Sequence, residues 1–262
     1  MRYAVIADVH GNLPALESVL REAACRGVDD YLILGDLVGY GPFPNECIAA
    51  IAALEAPAVA GNHDLIALGD LSDERCIRLA RRTLRWTRSV LTSEARSYLQ
   101  GRPMTCAAAG GVVCAHGTLA DPQEYLTTPE QAIDNLKRLR LEHPEATILL
   151  VGHTHRSWAC GGDGRVRQPG PDGRLALGEG PVVLNPGAVG QVRGGPALAR
   201  FLVLDTDARD AAFVAVPYDV ARTRRELRRH GLPRGTYRLN RSVLGVVRRT
   251  ARAAGSALTR WG

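Results

Sequence analysis

The sequence predicts an α/β fold in which strands and helices alternate in layers. Short apolar strands are each followed by a glycine-flanked polar cluster and then by an amphipathic helix, and this order repeats within the first 65 residues. The composition, with 45% hydrophobic and 23% charged residues, is that of an ordinary globular protein. No apolar run approaches the roughly 18 residues that a membrane-spanning helix needs.

The N-terminal half of the predicted fold consists of strands that lead into polar clusters. The helix after strand 1 carries Leu13, Leu16, Val19 and Leu20 on one face, with a proline near its start, where proline is tolerated. We predict strands at residues 2–7, 30–34 and 56–60, helices at 13–26 and 44–54, and a helical insertion at about 65–103.

The second half contains more strands and more turns. Gly110-Gly111 separates two apolar runs and indicates a β-hairpin of residues 105–108 and 112–115. A helix at 129–141 leads into a buried strand at 147–151. Turn-rich strands follow at 182–184, 200–205 and 212–216, and we predict that they form a second, antiparallel sheet packed on the first.

Residues 219–262 form a basic C-terminal extension. They hold twelve arginines against Asp219 and Glu226, although the whole chain carries a net charge of only +6, so the remainder is net negative. From Leu244 to Trp261, apolar residues step by three and four and predict a helix with a narrow apolar seam. Three interpretations remain open: docking on the main domain, contact with an anionic membrane surface, or weak contact with polyanions, nucleotides or RNA, that steers them to the site.

Five segments place metal-type ligands immediately after predicted strands. Five of the seven histidines lie in these segments, and only His143 and His230 lie outside them. Imidazole nitrogen with carboxylate and amide oxygen suits zinc, manganese or iron better than calcium. His153 and His155 are two residues apart, so on extended backbone their rings would project to the same side. The candidate ligands are Asp8, His10, Asp36, Asn62, His116, His153 and His155, which are too many for one tetrahedral ion and suit two ions that share a carboxylate.

The order of these motifs resembles a known family. Asp8-x-His10, Gly35-Asp36, Gly61-Asn62-His63-Asp64, His116-Gly117 and Gly152-His153-x-His155 look like those of the calcineurin-like metallophosphoesterases, over about residues 1–218. Two loops, residues 39–42 and 185–191, resemble a bacterial branch that includes small phosphodiesterases and dinucleoside-polyphosphate hydrolases. The chain departs from that branch at Ala188, where serine is common, and at Arg193-Gly194-Gly195, where a stretch containing aspartate is common.

The resemblance implies a four-layer αββα sandwich of two mixed β-sheets for residues 1–218. It implies that Asp36 bridges two divalent or trivalent ions of Mn, Fe or Zn, and that His63 is the leaving-group acid, with Asp64 orienting its ring. The first ion would be held by Asp8, His10 and His155, and the second by Asn62, His116 and His153. The expected reaction is hydrolysis of a phosphodiester or nucleotide-type phosphate ester by attack of a metal-bridging hydroxide.

Two alternatives to a small-molecule phosphoesterase are open at this stage. A non-catalytic interaction scaffold of the same fold would be expected to lose ligands or the leaving-group histidine, whereas this chain retains all seven ligands and His63. A nuclease recruited by the basic extension is the other. The six cysteines form no C-x-x-C pair and the N-terminus shows no signal-peptide pattern, so we expect reduced thiols and a cytoplasmic location.

Overall fold

The computed structural model describes residues 1–239, which form seven helices and thirteen strands. The helices are α1 (Leu13–Cys25), α2 (Pro44–Ala52), α3 (Asn62–Leu68), α4 (Arg78–Val90), α5 (Ser93–Gln100), α6 (Pro129–Glu142) and α7 (Val220–Arg229). The strands are β1 (Arg2–Ile6), β2 (Asp30–Ile33), β3 (Thr105–Ala108), β4 (Val112–Ala115), β5 (Ile148–Leu150), β6 (Ser157–Gly161), β7 (Val166–Arg167), β8 (Gly173–Ala176), β9 (Val182–Pro186), β10 (Val192–Arg193), β11 (Ala199–Asp205), β12 (Asp210–Val216) and β13 (Arg238–Leu239).

Most of the strands belong to two sheets that each contain parallel and antiparallel pairs. The first sheet has the order β2-β1-β11-β12-β8, in which only β1 and β2 are parallel. The second has the order β3-β4-β5-β9-β6-β7, in which β4, β5 and β9 run parallel. In the remaining pair, β10 lies parallel to β13.

Three apolar clusters separate four layers. The side chains of each strand alternate between its two faces, so one strand contributes to two clusters. In β1, Ile6 packs against the helices α1 and α2, whereas Val5 faces the second sheet. In β5, Leu150 lies between the sheets, whereas Leu149 packs against α6 beside Leu136. The layers are therefore helices, sheet, sheet and helix, which confirms the predicted αββα sandwich of two mixed sheets.

The sequence did not indicate which sheet the late strands join. The expectation of a second, purely antiparallel sheet is wrong, because β11 pairs with β1 in the first sheet while β9 pairs with β5 in the second. Alternation of apolar residues specifies which face of a strand is buried but not which strand lies beside it. The predicted strand at residues 56–60 is reduced to one bridge, between Ile33 and Ala58.

The helices α4 and α5 lie in the stretch that was predicted as a helical insertion. The Thr83 hydroxyl of α4 accepts a hydrogen bond of 3.2 Å from the backbone of Tyr40, so the insertion fixes a loop that follows β2. The helix α7 packs on α1, where the Thr223 hydroxyl donates to Asn12 at 2.9 Å. The predicted apolar seam from Leu244 to Trp261 lies outside the described residues. Within residues 1–239, no helix is both long and apolar enough to cross a membrane.

Candidate metal centre

All nine predicted site residues converge at one end of the two sheets. They come from the loops after β1, β2, β4 and β5 and from the first turn of α3. Because parallel neighbouring strands place their carboxyl ends at the same edge, residues far apart in sequence meet there. Each of the nine is at most 5% exposed: Asp8, His10, Asp36, Asn62, His63, Asp64, His116, His153 and His155.

The candidate ligand atoms fall into two groups with one shared member. Asp8, His10, Asp36 and His155 offer atoms within 4.8 Å of one another, and so do Asp36, His116 and His153. In the first group, Asp8 Oδ1 lies 3.3 Å from His155 Nε2. Beside the second group, Asn62 Oδ1 lies 3.1 Å from His116 Nε2. Each group could hold a metal ion, and the Asp36 carboxylate belongs to both.

Backbone carbonyls determine which nitrogen of each histidine is free to bind a metal. In a neutral imidazole, the nitrogen that donates to a carbonyl carries the one proton, so the opposite nitrogen keeps its lone pair. This assignment leaves Nε2 free in His10, His116 and His155, and Nδ1 free in His153. The four contacts are His10 Nδ1 to Val38 O (3.1 Å), His116 Nδ1 to Leu34 O (2.6 Å), His155 Nδ1 to Gln191 O (2.7 Å) and His153 Nε2 to Gln123 O (3.2 Å).

Two observations show that this donor set fits cations. Asp36 Oδ2 is buried without a hydrogen-bond partner, although it lies 3.6 Å from His10 Nε2 and 3.3 Å from His116 Nε2. With the assignment above, the Nε2 atoms of His10 and His155 face each other at 3.1 Å with no proton between them. Buried acceptors that face one another cost free energy unless something positive lies among them.

The backbone at the site is held in an uncommon conformation. Residues other than glycine with positive φ are rare, and such strain concentrates at functional sites. Among residues 1–239, nine non-glycine residues have positive φ, and six of them belong to the site: Asp8, His10, Asp36, Tyr40, His153 and His155. The extended backbone predicted for His153 and His155 is therefore wrong, since their φ values are 63° and 59°. The left-handed turn sends the two rings to different groups.

His63 lies beside the two groups without belonging to either. Its backbone amide donates to Asp36 Oδ1 at 2.7 Å, and its ring lies 4.8 Å from the rings of both His10 and Tyr40. Its Nδ1 is buried without a hydrogen-bond partner. A Cβ on Gly39 would lie 2.3 Å from that nitrogen, so only glycine leaves room for the ring.

The Asp64 carboxylate has contacts other than the expected one with the His63 ring. It accepts from the backbone amides of Gly61 at 3.0 Å and Val38 at 3.2 Å. Asp64 is the third residue of α3, and an acidic side chain there caps the helix by reaching back to the preceding turn. Asp64 therefore holds the turn that carries Asn62 and His63, and it acts on the ring only through the backbone.

Burial and neighbouring charge shift the protonation of the site in opposite directions. Burial raises the pKa of Asp8 to about 7 and lowers the pKa of His10 to about 3. Burial also disfavours the charged form of His116, but the adjacent Asp36 carboxylate outweighs it and raises the pKa of His116 to about 9. Burial opposes ionisation of Asp36 too, yet the charges of His116 and His63 hold the pKa of Asp36 well below its usual range. A metal ion that takes these atoms must displace protons.

Several residues at the site were not predicted as functional. Arg193 lies 3.4 Å from His155 Nε2, and Tyr125 stacks on the His153 ring with centroids 4.0 Å apart. Tyr40 packs edge-on against His10. The sequence offered one signal for Arg193, which lies where the chain departs from the similar bacterial branch. It offered none for Tyr125, which lies in a segment without any motif.

Comparisons with known proteins agree with this geometry. The chain is 30% identical over 236 residues to an uncharacterized protein of Methanocaldococcus jannaschii, covering 88% of this chain and 93% of that one. It is similar to the crystal structure of a metallophosphoesterase from Sphaerobacter thermophilus, with a TM-score of 0.76, 35% identity, and 90% and 96% of the two chains covered.

A hypothetical protein from Pyrococcus horikoshii shares the fold, with a TM-score of 0.71, 23% identity and the same coverage of the two chains, 90% and 96%. Residues 1–172 match the family described as calcineurin-like phosphoesterase, which is well over half of the chain. The buried Asp and His groups could hold the metal on which such a phosphoesterase depends. The chain therefore belongs to the calcineurin-like phosphoesterase family and is a metallophosphoesterase, a hydrolase of phosphoric ester bonds.

Proposed function

We propose that the enzyme uses two metal ions to hydrolyse a phosphodiester or a nucleotide-type phosphate ester. Asp8, His10 and His155 would hold the first ion, and Asn62, His116 and His153 the second, with Asp36 between them. The shared position of Asp36 carries this proposal. Its Oδ2 is buried, unpaired and within 3.6 Å of a free nitrogen from each group.

The chemistry of the ligands favours manganese, iron or zinc. Four imidazole nitrogens with carboxylate and amide oxygens form a mixed donor set that suits borderline and hard ions. When bound, such a pair of ions supplies an activated water nucleophile and neutralises charge on the phosphoryl oxygens. The chain itself keeps each imidazole in a fixed tautomer through the carbonyls of Leu34, Val38, Gln123 and Gln191.

His63 is the proposed proton donor to the departing alkoxide. Its Nδ1 packs against Gly39, so Nε2 is the nitrogen available to a leaving group. Burial lowers the pKa of His63, while the Asp36 carboxylate raises it. An anionic phosphate group that enters the site would raise this pKa further, so the proton is best held when the substrate is bound.

A metal-reconstituted activity screen tests the proposal. Full-length protein loaded separately with Mn, Fe or Zn would be assayed on bis-p-nitrophenyl phosphate, p-nitrophenyl phosphate, cyclic nucleotides and dinucleoside polyphosphates. Asp36→Asn serves as the blank, because it removes the charge shared by both groups while conserving side-chain size. We expect metal-dependent turnover that the blank lacks, and two ions per chain in the wild-type protein. One ion per chain at full activity would refute the dinuclear mechanism.

The remaining expectations about partners and location stay predictions. The basic extension would contact nucleic acid or anionic lipid weakly, or would dock on the main domain. Exposed arginines of α7, such as Arg224 and Arg228, continue the positive charge of the extension into the described part of the chain. The cytoplasmic location accords with six cysteines that are all free thiols.

A further inference from the structure

Arg193 directs a permanent positive charge at the candidate metal centre. It lies on β10 and is half-buried. Its Nη1 donates to the Tyr125 hydroxyl at 3.3 Å, and its Nη2 lies 3.4 Å from His155 Nε2. Its Nε is buried without a hydrogen-bond partner. The guanidinium therefore contacts a nitrogen that the first ion would take.

Hydrogen bonds of the two preceding residues, Gln191 and Val192, hold Arg193 in position. Gln191 accepts from His155 Nδ1 at 2.7 Å through its carbonyl and donates to the Thr236 carbonyl at 3.0 Å through its side chain. The Val192 amide donates to the Tyr237 carbonyl at 3.1 Å. The short parallel pair of β10 and β13 thus holds the loop against the site, and residues beyond α7 contribute to it.

Tyr125 connects Arg193 to the second group of ligands. Its ring lies nearly parallel to that of His153, at an angle of 20°, and the guanidinium carbon of Arg193 lies 5.3 Å from the ring centroid. The aromatic face and the hydroxyl together restrict the guanidinium to one orientation. Arg193 is therefore a preorganised donor and not a freely moving surface charge.

The guanidinium has no anionic partner of its own in the described part of the chain. No carboxylate oxygen of residues 1–239 lies within 4.0 Å of its nitrogens, and the nearby carboxylates of Asp8 and Asp36 are those that the ions would use. A half-buried cation next to bound metal ions is unfavourable unless an anion joins them. The anion that a phosphoesterase brings to this place is the phosphate group of its substrate.

We propose that Arg193 binds the non-bridging oxygens of the substrate phosphate and favours a dianionic phosphate group, as in a phosphomonoester or the terminal phosphate of a nucleotide, over a monoanionic diester. This inference rests on the proposed function. A guanidinium offers paired donors that match two phosphate oxygens, and its attraction to a dianion is twice that to a monoanion at the same distance.

The test uses full-length, metal-reconstituted protein and inorganic phosphate as the probe. Phosphate affinity is measured by calorimetry and metal content by mass spectrometry, for wild type, Arg193→Gln, Arg193→Lys and the control Arg167→Gln. Arg167 is exposed on β7, so its substitution changes the net charge equally without touching the site. We expect phosphate affinity to fall about 10–100-fold in Arg193→Gln with both ions retained, to recover partly in Arg193→Lys, and to be unchanged in the control.

Steady-state kinetics supply the second readout. In Arg193→Gln, kcat/KM should fall more for p-nitrophenyl phosphate than for bis-p-nitrophenyl phosphate. Unchanged phosphate affinity and an unchanged ratio of the two kcat/KM values would overturn the inference. Loss of metal that Arg193→Lys does not restore would also overturn it, because Arg193 would then only support His155. Phosphate binding needs no turnover, so an inactive wild type that binds phosphate through Arg193 would refute the proposed function and leave only the contact between Arg193 and phosphate standing.

Discussion

Replacing His63 by asparagine should separate proton donation from metal binding. The His63 backbone amide, and not its ring, contacts Asp36, so the substitution leaves that hydrogen bond of 2.7 Å in place. No ring atom of His63 belongs to either group of ligand atoms. We therefore expect both ions to stay bound. The loss of a positioned acid should lower kcat by about 10²–10⁴, or ~2.7–5.4 kcal/mol in activation free energy, when the leaving group is an alkoxide.

The size of the effect should depend on the leaving group. p-Nitrophenolate departs without needing a proton, whereas the ribose oxygen of a nucleoside 5′-phosphate does need one. The assay compares kcat for these two phosphomonoesters in wild type, His63→Asn and the control His230→Asn, whose exposed ring packs on Trp86. A large loss on the nucleotide and a small loss on p-nitrophenyl phosphate is expected. Equal losses on both substrates, or lost metal, would refute the acid role.

Three further predictions concern proton release on metal binding, the room that Gly39 leaves for the His63 ring, and the removal of residues 240–262. Metal binding should release about two protons per chain at pH 6 and about one at pH 8, because without metal the pKa of Asp8 is about 7 and that of His116 is about 9, and both groups must lose a proton to coordinate. Calorimetry in buffers of different ionisation enthalpy measures this release, and heats that do not depend on the buffer would contradict it. Gly39→Ala should lower activity on alkyl esters towards the level of His63→Asn, because the new Cβ would lie 2.3 Å from Nδ1 of the His63 ring. The control Gly178→Ala should keep activity, because Gly178 has a φ of +64° but open space around it, so the substitution causes only backbone strain. Removing residues 240–262 should leave metal content and turnover unchanged. Co-sedimentation of the protein with liposomes and with RNA should also be the same for the full-length and the truncated protein. Liposome or RNA binding that disappears on truncation would instead support a membrane or nucleic-acid role.

The positions of the site residues could be predicted because each belongs to a local pattern. Asp8 and Asp36 follow short apolar runs that predict buried strands, and Gly152-His153 follows another. Strand ends in α/β folds meet at one edge, so the pattern also predicted that these residues converge. Glycines beside the ligands added to the signal. A Cβ on Gly61 would lie 2.1 Å from the Asp36 amide, which shows why the motif requires glycine there.

The rest of the site depends on pairings that leave no local pattern. Gln123 and Gln191 act through backbone carbonyls, which every residue has, so their side chains carry no signal. Arg193 reaches the centre because β10 pairs with β13, and a two-residue strand is too short for a periodicity to reveal it. The same limit applies to β11, whose apolar alternation indicates a buried face but not its partner β1.

The histidine tautomers link the candidate metal centre to the whole fold. The four carbonyls that orient the imidazoles come from three segments, at Leu34 and Val38, at Gln123 and at Gln191, and none is adjacent in sequence to the histidine that it holds. In an unfolded chain these rings would rotate freely, so the centre exists only in the folded protein. Ions that bind only the folded state stabilise it, by about 4 kcal/mol when free metal exceeds Kd a thousandfold. Metal binding would therefore offset the strain in the backbone of the ligand residues.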